Sequence, residues 1–320
     1  MESRSKSKLN ADELNAMVQR AFGKPMKRFH EKSDSGYFSA IYFIELSDQE
    51  VVLKVSPKDG TKILRSEINI MRSEVETLKR IKNKASIPVP EVLFYDNSRA
   101  LCDSEYFFME KISGESFRAI RDQLNDEQTS GILFEIGRIN KEINEIEGVR
   151  FGSAAQPDKQ TADWKSAFRH IFFDIIADGR DAEIKLPVSY EHIEDIFERF
   201  AFACDHVQEP RLIHWDLWPG NVLVENGKVT GIIDWDRTLW ADPLMECFFR
   251  PEFVNHDFCS GYGIDFSKLD RNARIRRALY NLYVYLVMRV ACDYRGYTTH
   301  IEWAKRKIDS ACEMFTNFCF

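Results

Sequence analysis

The sequence predicts an α+β protein of two lobes, the first an antiparallel sheet with a helix and the second mostly helical. Three observations carry this. Residues 38–46 and 51–55 are strand-like runs rich in β-branched and aromatic residues, separated by the polar turn Ser47-Asp48-Gln49-Glu50. From Asp126 onward the spacing becomes helical, with Ile132, Leu133, Ile136, Ile139, Ile143 and Ile146 on one face and Gly148 past the end. A length of 320 residues suffices for two lobes with a substantial core. The division expected is 1–112 for the first lobe, holding the sheet and its exit, and 113–320 for the helical second lobe.

Composition narrows the class. A net charge of -7 and an isoelectric point near 5.6 argue against nucleic acid as a partner and are compatible with a cationic ligand. Seven cysteines stand without any Cys-x-x-Cys spacing, and an odd number cannot all pair within the chain, so a reduced cytoplasmic protein is expected. The polar N-terminus lacks the apolar core of a signal peptide. The most apolar late run, 282–288, is far shorter than the roughly 20 residues a bilayer requires, and reads as a buried helix rather than a membrane contact.

The elements follow in order. Asn10-Ala11-Asp12-Glu13 has the form of a capping box, and Leu14, Met17, Val18, Ala21 and Phe22 recur at helical spacing until Gly23. After the first two strands, a helix is expected over about 63–81, with its stripe at Leu64, Ile68, Met71, Val75 and Leu78. Lys54 lies inside the apolar run 51–55, where an unpaired ammonium would be costly, so it should have an acidic partner; Glu67 and Glu74 both flank the stripe. Pro88 and Pro90 bias their predecessors to extended backbone and lead into another strand, and 106–110 reads as the last strand of the sheet. Amphipathic stretches around 164–177 and 190–206, and two closing helices at about 272–293 and 300–318, complete the second lobe.

The chemistry is concentrated in residues 214–236. His214-Trp-Asp216-Leu-Trp-Pro-Gly-Asn221 matches His-x-Asp-Leu-x-x-x-Asn, in which the aspartate accepts the proton of an attacking hydroxyl and the asparagine holds magnesium. Those roles fall to Asp216 and Asn221. Asn226-Gly227 between two apolar runs signals a type I′ hairpin. If Glu225 pairs with Lys228, Asn221 lies opposite Ile232, and Asp234 sits diagonally across, with Cα atoms on the order of 7–8 Å apart. An Asn and an Asp converging there suit Mg2+, which takes oxygen ligands at about 2.1 Å.

This stretch resembles the aminoglycoside phosphotransferase family and its choline-kinase-like relatives, which share the protein-kinase architecture and phosphorylate small molecules. Ile233-Asp234-Trp235-Asp236 fits the second acidic motif of that family. The Asp-Phe-Gly and Ala-Pro-Glu signatures of protein kinases are missing; Arg250-Pro251-Glu252 lacks the alanine and comes too early. The resemblance implies a bilobal protein-kinase-like fold, with Mg2+ as cofactor and ATP or GTP as phosphoryl donor. It assigns Lys54 to the α- and β-phosphates and selects Glu74 over Glu67 as its partner. The loop 33–39, with Ser35, Gly36 and Ser39, would cover the phosphates, though it has one glycine where the kinase loop has three. Adenine would bond to the backbone of Glu110 and Ile112 with Met109 behind it. Asp242 would brace the catalytic loop, and His214 would be structural. The helices after residue 164 lie where the family builds its acceptor pocket.

The activity expected is transfer of the γ-phosphoryl group to a hydroxyl of a small molecule, of the aminoglycoside antibiotic type or, alternatively, a choline, homoserine or ketosamine metabolite. A nucleotide-binding regulatory protein without turnover is disfavoured, because mere binding needs no hydroxyl-orienting aspartate. The acceptor is expected to carry positive charge, met by Asp236, Glu246 or Asp257, which lie close in sequence to the metal ligand.

Overall fold

Asn10 caps the first helix of the structure, a computed structural model that describes residues 7–32, 38–83 and 87–318. Its side chain accepts from the amides of Asp12 and Glu13, Glu13 bonds back to the Asn10 amide, and Gly23, at φ 67°, ends helix α1 (Ala11–Phe22). Beyond α1 comes a five-stranded antiparallel sheet of β1 (Arg28–Glu31), β2 (Ala40–Glu45), β3 (Glu50–Val55), β4 (Val92–Asp96) and β5 (Tyr106–Glu110), in the order β1-β2-β3-β5-β4. The sequence reading missed β1, for a physical reason. All four of its residues are exposed, so it has no alternation of apolar and polar positions to detect.

Alternation along β3 sets the rest. Val51, Leu53 and Val55 pack with Leu14, Met17 and Val18 of α1, while Val52 faces the opposite way, with Met71, Val75 and Leu78. Lys54, of the same parity as Val52, lies between Ile41 and Phe107 in the middle of the sheet. It therefore points away from α1, buried at 4% exposure.

The helix expected over 63–81 is two pieces. Residues 65–67 form a 3-10 turn, Ile68 is extended, Asn69 is left-handed at φ 62°, and α2 spans Ile70–Lys82. Asparagine tolerates that conformation better than other non-glycine residues. The apolar stripe looked continuous because Leu64 and Ile68 have helical spacing, yet Leu64 is buried in the core of the later helices and Ile68 is 44% exposed.

The remainder is a helical body with two small sheets. It contains β6 (Glu115–Ser116), α3 (Phe117–Ile120), α4 (Asp126–Asn144), β7 (Gly152–Ser153), α5 (Trp164–Asp181), α6 (Tyr190–Phe200), β8 (Arg211–Ile213), β9 (Val222–Glu225), β10 (Lys228–Ile232), β11 (Leu239–Ala241), α7 (His256–Tyr262), α8 (Arg271–Arg295) and α9 (Ile301–Met314). One core joins α4, β9, β10 and α7 to the inner face of the first sheet; another gathers α5, α6, α8 and α9. The run 282–288 is buried within α8, and among the described residues no helix is long and apolar enough to cross a membrane. The six described cysteines are free.

Candidate active site

Asn226 and Gly227, both at positive φ (53° and 75°), make the tight turn between β9 and β10, and Glu225 pairs with Lys228. Past Val229 the register slips by one at Thr230, whose hydroxyl donates to the Ser113 carbonyl at 2.7 Å. Ile232 is therefore opposite Val222, and the Ile233 amide donates to the Asn221 carbonyl at 3.0 Å. The expected opposition of Asn221 and Ile232 is thus off by one residue, because a bulge is invisible to an alternation argument. Asp234 does not continue the strand; at φ 68° it is left-handed and turns the chain, and its carboxylate meets Lys54 Nζ at 2.5 Å.

Lys54 gathers three carboxylates. Glu74 Oε2 lies 2.7 Å and Asp236 Oδ2 3.6 Å from its Nζ, and the other Glu74 oxygen accepts from the Trp235 amide at 3.2 Å. Oxygens of Glu74, Asp234 and Asp236 lie within 4.8 Å of one another. Burial would strip the Lys54 ammonium of its proton, but the carboxylates outweigh it and hold its pKa well above the ordinary value. Burial pushes Glu74 up to about 8, with Asp236 and Asp234 adding to the rise. Asp234 is held below its usual value despite burial, by Lys54, whereas burial and Asp234 raise Asp236. Three acidic side chains around one ammonium offer more hard oxygen donors than Lys54 can satisfy, and a divalent cation would favour their ionised forms, which fits a magnesium ion. Asn221 gives its side-chain NH2 to the Asp216 carbonyl at 2.9 Å, which leaves Oδ1 as the atom free to face a cation.

The loop holding Asp216 is fixed from below by Glu246. This fully buried carboxylate accepts from the backbone amides of His214 (2.9 Å) and Trp215 (3.0 Å) and from the side chains of Asn140 (2.9 Å) and Asn144 (3.1 Å). Glu246 is thereby removed as an acceptor contact. It performs the bracing expected of Asp242, which instead caps the Leu244 amide and takes Arg276 and the Tyr280 hydroxyl. His214 is buried against Trp235, ring centres 4.4 Å apart, and its Nε2 meets the Ile233 carbonyl at 3.0 Å; burial lowers its pKa, so it is neutral and Nε2 donates. Trp215 adopts φ 68°, and its carbonyl accepts from Arg250 at 2.6 Å. Burial, then Asp234, pushes the Asp216 carboxyl up to about 7, while Arg237 and Arg250 oppose the rise.

Of the other predicted residues, Ser35 and Gly36 lie outside the described ones, and Ser39 is buried just before β2. Met109 is buried at 8% exposure, on the face of the sheet that carries Lys54. Glu110 and Ile112 line a cleft with Lys82, Val89 and Thr230, and the Glu110 side chain meets Lys82. Asp257 is not brought to the site: it sits in the first turn of α7 beside His256, away from the carboxylate cluster. Asp236 belongs to the Lys54 cluster as well as to a second cavity.

That second cavity lies against α5, where the family resemblance puts part of the acceptor pocket, although its individual lining residues other than Asp236 were not singled out. It opens beside the catalytic loop and is lined by Ser66, Gln156, Lys159, His170, Asp174, Trp215, Asp236, Arg237 and Tyr283. Its wall includes the strap 64–67, where Glu67, an alternative partner for Lys54 in the sequence, instead accepts from the Leu64 amide (2.9 Å), from Arg237 (2.8 Å) and from Arg295. The strap is tied to the helical body by Arg65 to Asp178 and by Gln156 Nε2 to the Arg65 carbonyl at 2.7 Å. The cavity residues come from six separate segments, so no local motif could have found them.

Comparison with known proteins follows the same lines. A family model described as the phosphotransferase enzyme family matches residues 32–252. A probable ketoamine kinase of Vibrio vulnificus is 23% identical over 280 residues, spanning 86% of this chain and 89% of that protein. Among solved structures, a protein of Haemophilus somnus provisionally described as a fructosamine-3-kinase matches with a TM-score of 0.68 at 17% identity, covering 93% of this chain and 96% of that one. A thermostable mutant of the aminoglycoside phosphotransferase APH(4)-Ia, in ternary complex with AMP-PNP and hygromycin B, matches with a TM-score of 0.65 at 18% identity, covering 95% of this chain and 98% of that one. The fold is the bilobal protein-kinase-like α+β fold.

Proposed function

The chain belongs to the phosphotransferase enzyme family, as an enzyme of the small-molecule kinase kind, and from that premise we propose that it transfers the γ-phosphoryl group of ATP to a hydroxyl of a small molecule. The observation that carries this reading is the joining of Asp216, through the Asn221 amide and the β9-β10 hairpin, to an Asp234 carboxylate 2.5 Å from Lys54. Asp216 accepts the proton of the attacking hydroxyl, Lys54 holds the nucleotide phosphates, and Glu74 fixes Lys54. Asn221 and Asp234 would hold magnesium, which neutralises charge on the phosphoryl oxygens. The nucleotide-binding part is proposed as 1–112, with the loop 33–39 over the phosphates and adenine at Glu110 and Ile112; the rest supplies the base and the acceptor cavity.

Among acceptors, a ketoamine is the reading preferred here, because the relative matched along most of both chains is a probable ketoamine kinase. An aminoglycoside is the second reading, favoured by the likeness in fold to APH(4)-Ia. The acceptor's positive charge loses much of its support, since Glu246 is committed to backbone amides and Asp236 to the Lys54 cluster. A coupled assay with ATP and with GTP, run with magnesium on ketoamines, aminoglycosides, choline and homoserine, tests the proposal. Phosphorylation of one of these is expected; nucleotide binding without transfer to any of them would favour a regulatory protein.

A further inference from the structure

One hydrogen-bond donor in the wall of the cavity beside the catalytic loop is buried without a partner, and a guanidinium stands next to it. Trp215 is 7% exposed, and its Nε1–H meets no acceptor. Arg237 gives one amino group to Glu67 at 2.8 Å and lies 5.5 Å from the Trp215 ring centre, and its side chain keeps 15% exposure in the same wall. Of the carboxylates close by, Asp174 meets Lys159 at 3.0 Å, while Asp236, 3.6 Å from Lys54, and Asp216 act on Arg237 through their charge. A desolvated donor with no acceptor costs free energy comparable to a lost hydrogen bond, so a wall left this way is suited to a ligand that brings oxygen.

Glu67 keeps Arg237 in place. Its side chain is 2% exposed, it also holds Arg295, and the strap that carries it is pinned through Arg65 to Asp178. The guanidinium is thus oriented before any ligand arrives, and a planar fork of N–H groups is matched by a planar carboxylate. We propose that Arg237, with Trp215 beside it, is the specificity-determining contact for a carboxylate on the acceptor, and that the substrate class is a hydroxylated small molecule bearing a carboxylate. Glu67 is the positioning residue behind that contact. The assignment rests on the phosphotransferase reading, since it takes the cavity as the acceptor's.

The test uses the full chain and two probes that differ in one group, fructosyl-glycine and fructosyl-glycinamide. Calorimetric binding with Mg·AMP-PNP present needs no turnover. The acid is expected to bind roughly 10- to 100-fold tighter than the amide, the usual range for a charge-assisted contact. Arg237→Gln should erase that ratio, Arg237→Lys should keep part of it, and Glu67→Gln should reduce it by a smaller factor; thermal melts identify any variant that has failed to fold. Equal binding of acid and amide by the wild type overturns the proposal. So does an Arg237→Gln defect confined to Mg·AMP-PNP affinity, which would place the guanidinium on the phosphoryl group. Acid-selective binding without ATP turnover would sink the phosphotransferase reading alone, and turnover indifferent to the carboxylate would sink this one alone.

Discussion

The two sides of the catalytic loop differ in what they leave unpaired. On the Lys54 side, three acidic side chains crowd one ammonium, and oxygen donors are in surplus. On the Arg237 side, Asp174 is paired with Lys159 and Glu67 with Arg237 and Arg295, and the Trp215 Nε1–H is left without an acceptor. The difference is the one that the two proposed ligands would meet, a magnesium-bound nucleotide on the first side and an oxygen-bearing acceptor on the second. Asp216 sits where the two environments meet, feeling Asp234 from one and Arg237 from the other.

The contrast is broken most severely at Asp216. Asp216→Asn is expected to lower kcat by about 10²- to 10⁴-fold while leaving Mg·ATP binding nearly intact, measured as single-turnover rate beside nucleotide affinity. Full turnover would remove the base assignment. Because its folded pKa, about 7, exceeds the unfolded value, the carboxyl favours the folded state when protonated and opposes it as pH rises. The same variant should therefore raise the melting temperature of the ligand-free protein at pH 8 and not at pH 4.

Next in size is Glu246→Ala, which orphans four N–H donors and leaves a cavity. A loss of about 3–5 kcal/mol is expected in denaturant titrations, the range for disrupting a buried charged network. Asp234→Ala tests the Lys54 side alone: magnesium titrations of nucleotide binding should shift to higher metal concentration, and curves that superimpose on the wild type would remove Asp234 as a ligand. Glu67→Gln sharpens the Arg237 side. Burial works against ionisation of Glu67, but Arg295 and Arg237 outweigh it and hold its pKa below the ordinary carboxylate value. Its contribution to stability is present above about pH 4.3 and fades as pH falls through the lower folded value. The acid limb of the stability profile should flatten in the variant. The smallest effect belongs to Asp257→Asn, whose side chain is 36% exposed and far from either cluster in its contacts; kinetic constants should stay within about 2-fold.

The Lys54 side was legible in the sequence because its parts are local. A hairpin signalled by Asn226-Gly227 carries Asn221 and Asp234 at its two ends, and a lysine amid apolar residues demands a partner. What escaped were the departures from regular period: the bulge at Thr230, the left-handed Asn69 that cuts the helix, and β1, exposed on both faces. Glu246 escaped for a different reason. An acidic residue near a metal ligand in sequence reads as a ligand contact, and only the positions of four donors around it show a brace. On the Arg237 side only the likeness to the family pointed to α5, and no local motif marked the residues, since Ser66, Gln156, Asp174, Trp215, Arg237 and Tyr283 meet only through tertiary folding.

The strap 64–67 has a mechanical consequence. The sheet joins the helical body covalently where the chain leaves β5 near Ile112, and it is fastened a second time where Arg65 grips Asp178 and Leu64 is buried among the later helices. Between these two places it is held again, by Lys54 to Asp234, by the Trp235 amide to Glu74 and by the Ile232 amide to the Pro88 carbonyl at 2.7 Å. Ser66 belongs at once to the strap and to the cavity wall, so this edge of the cavity under Arg237 is tied to the helical body and not to the sheet alone.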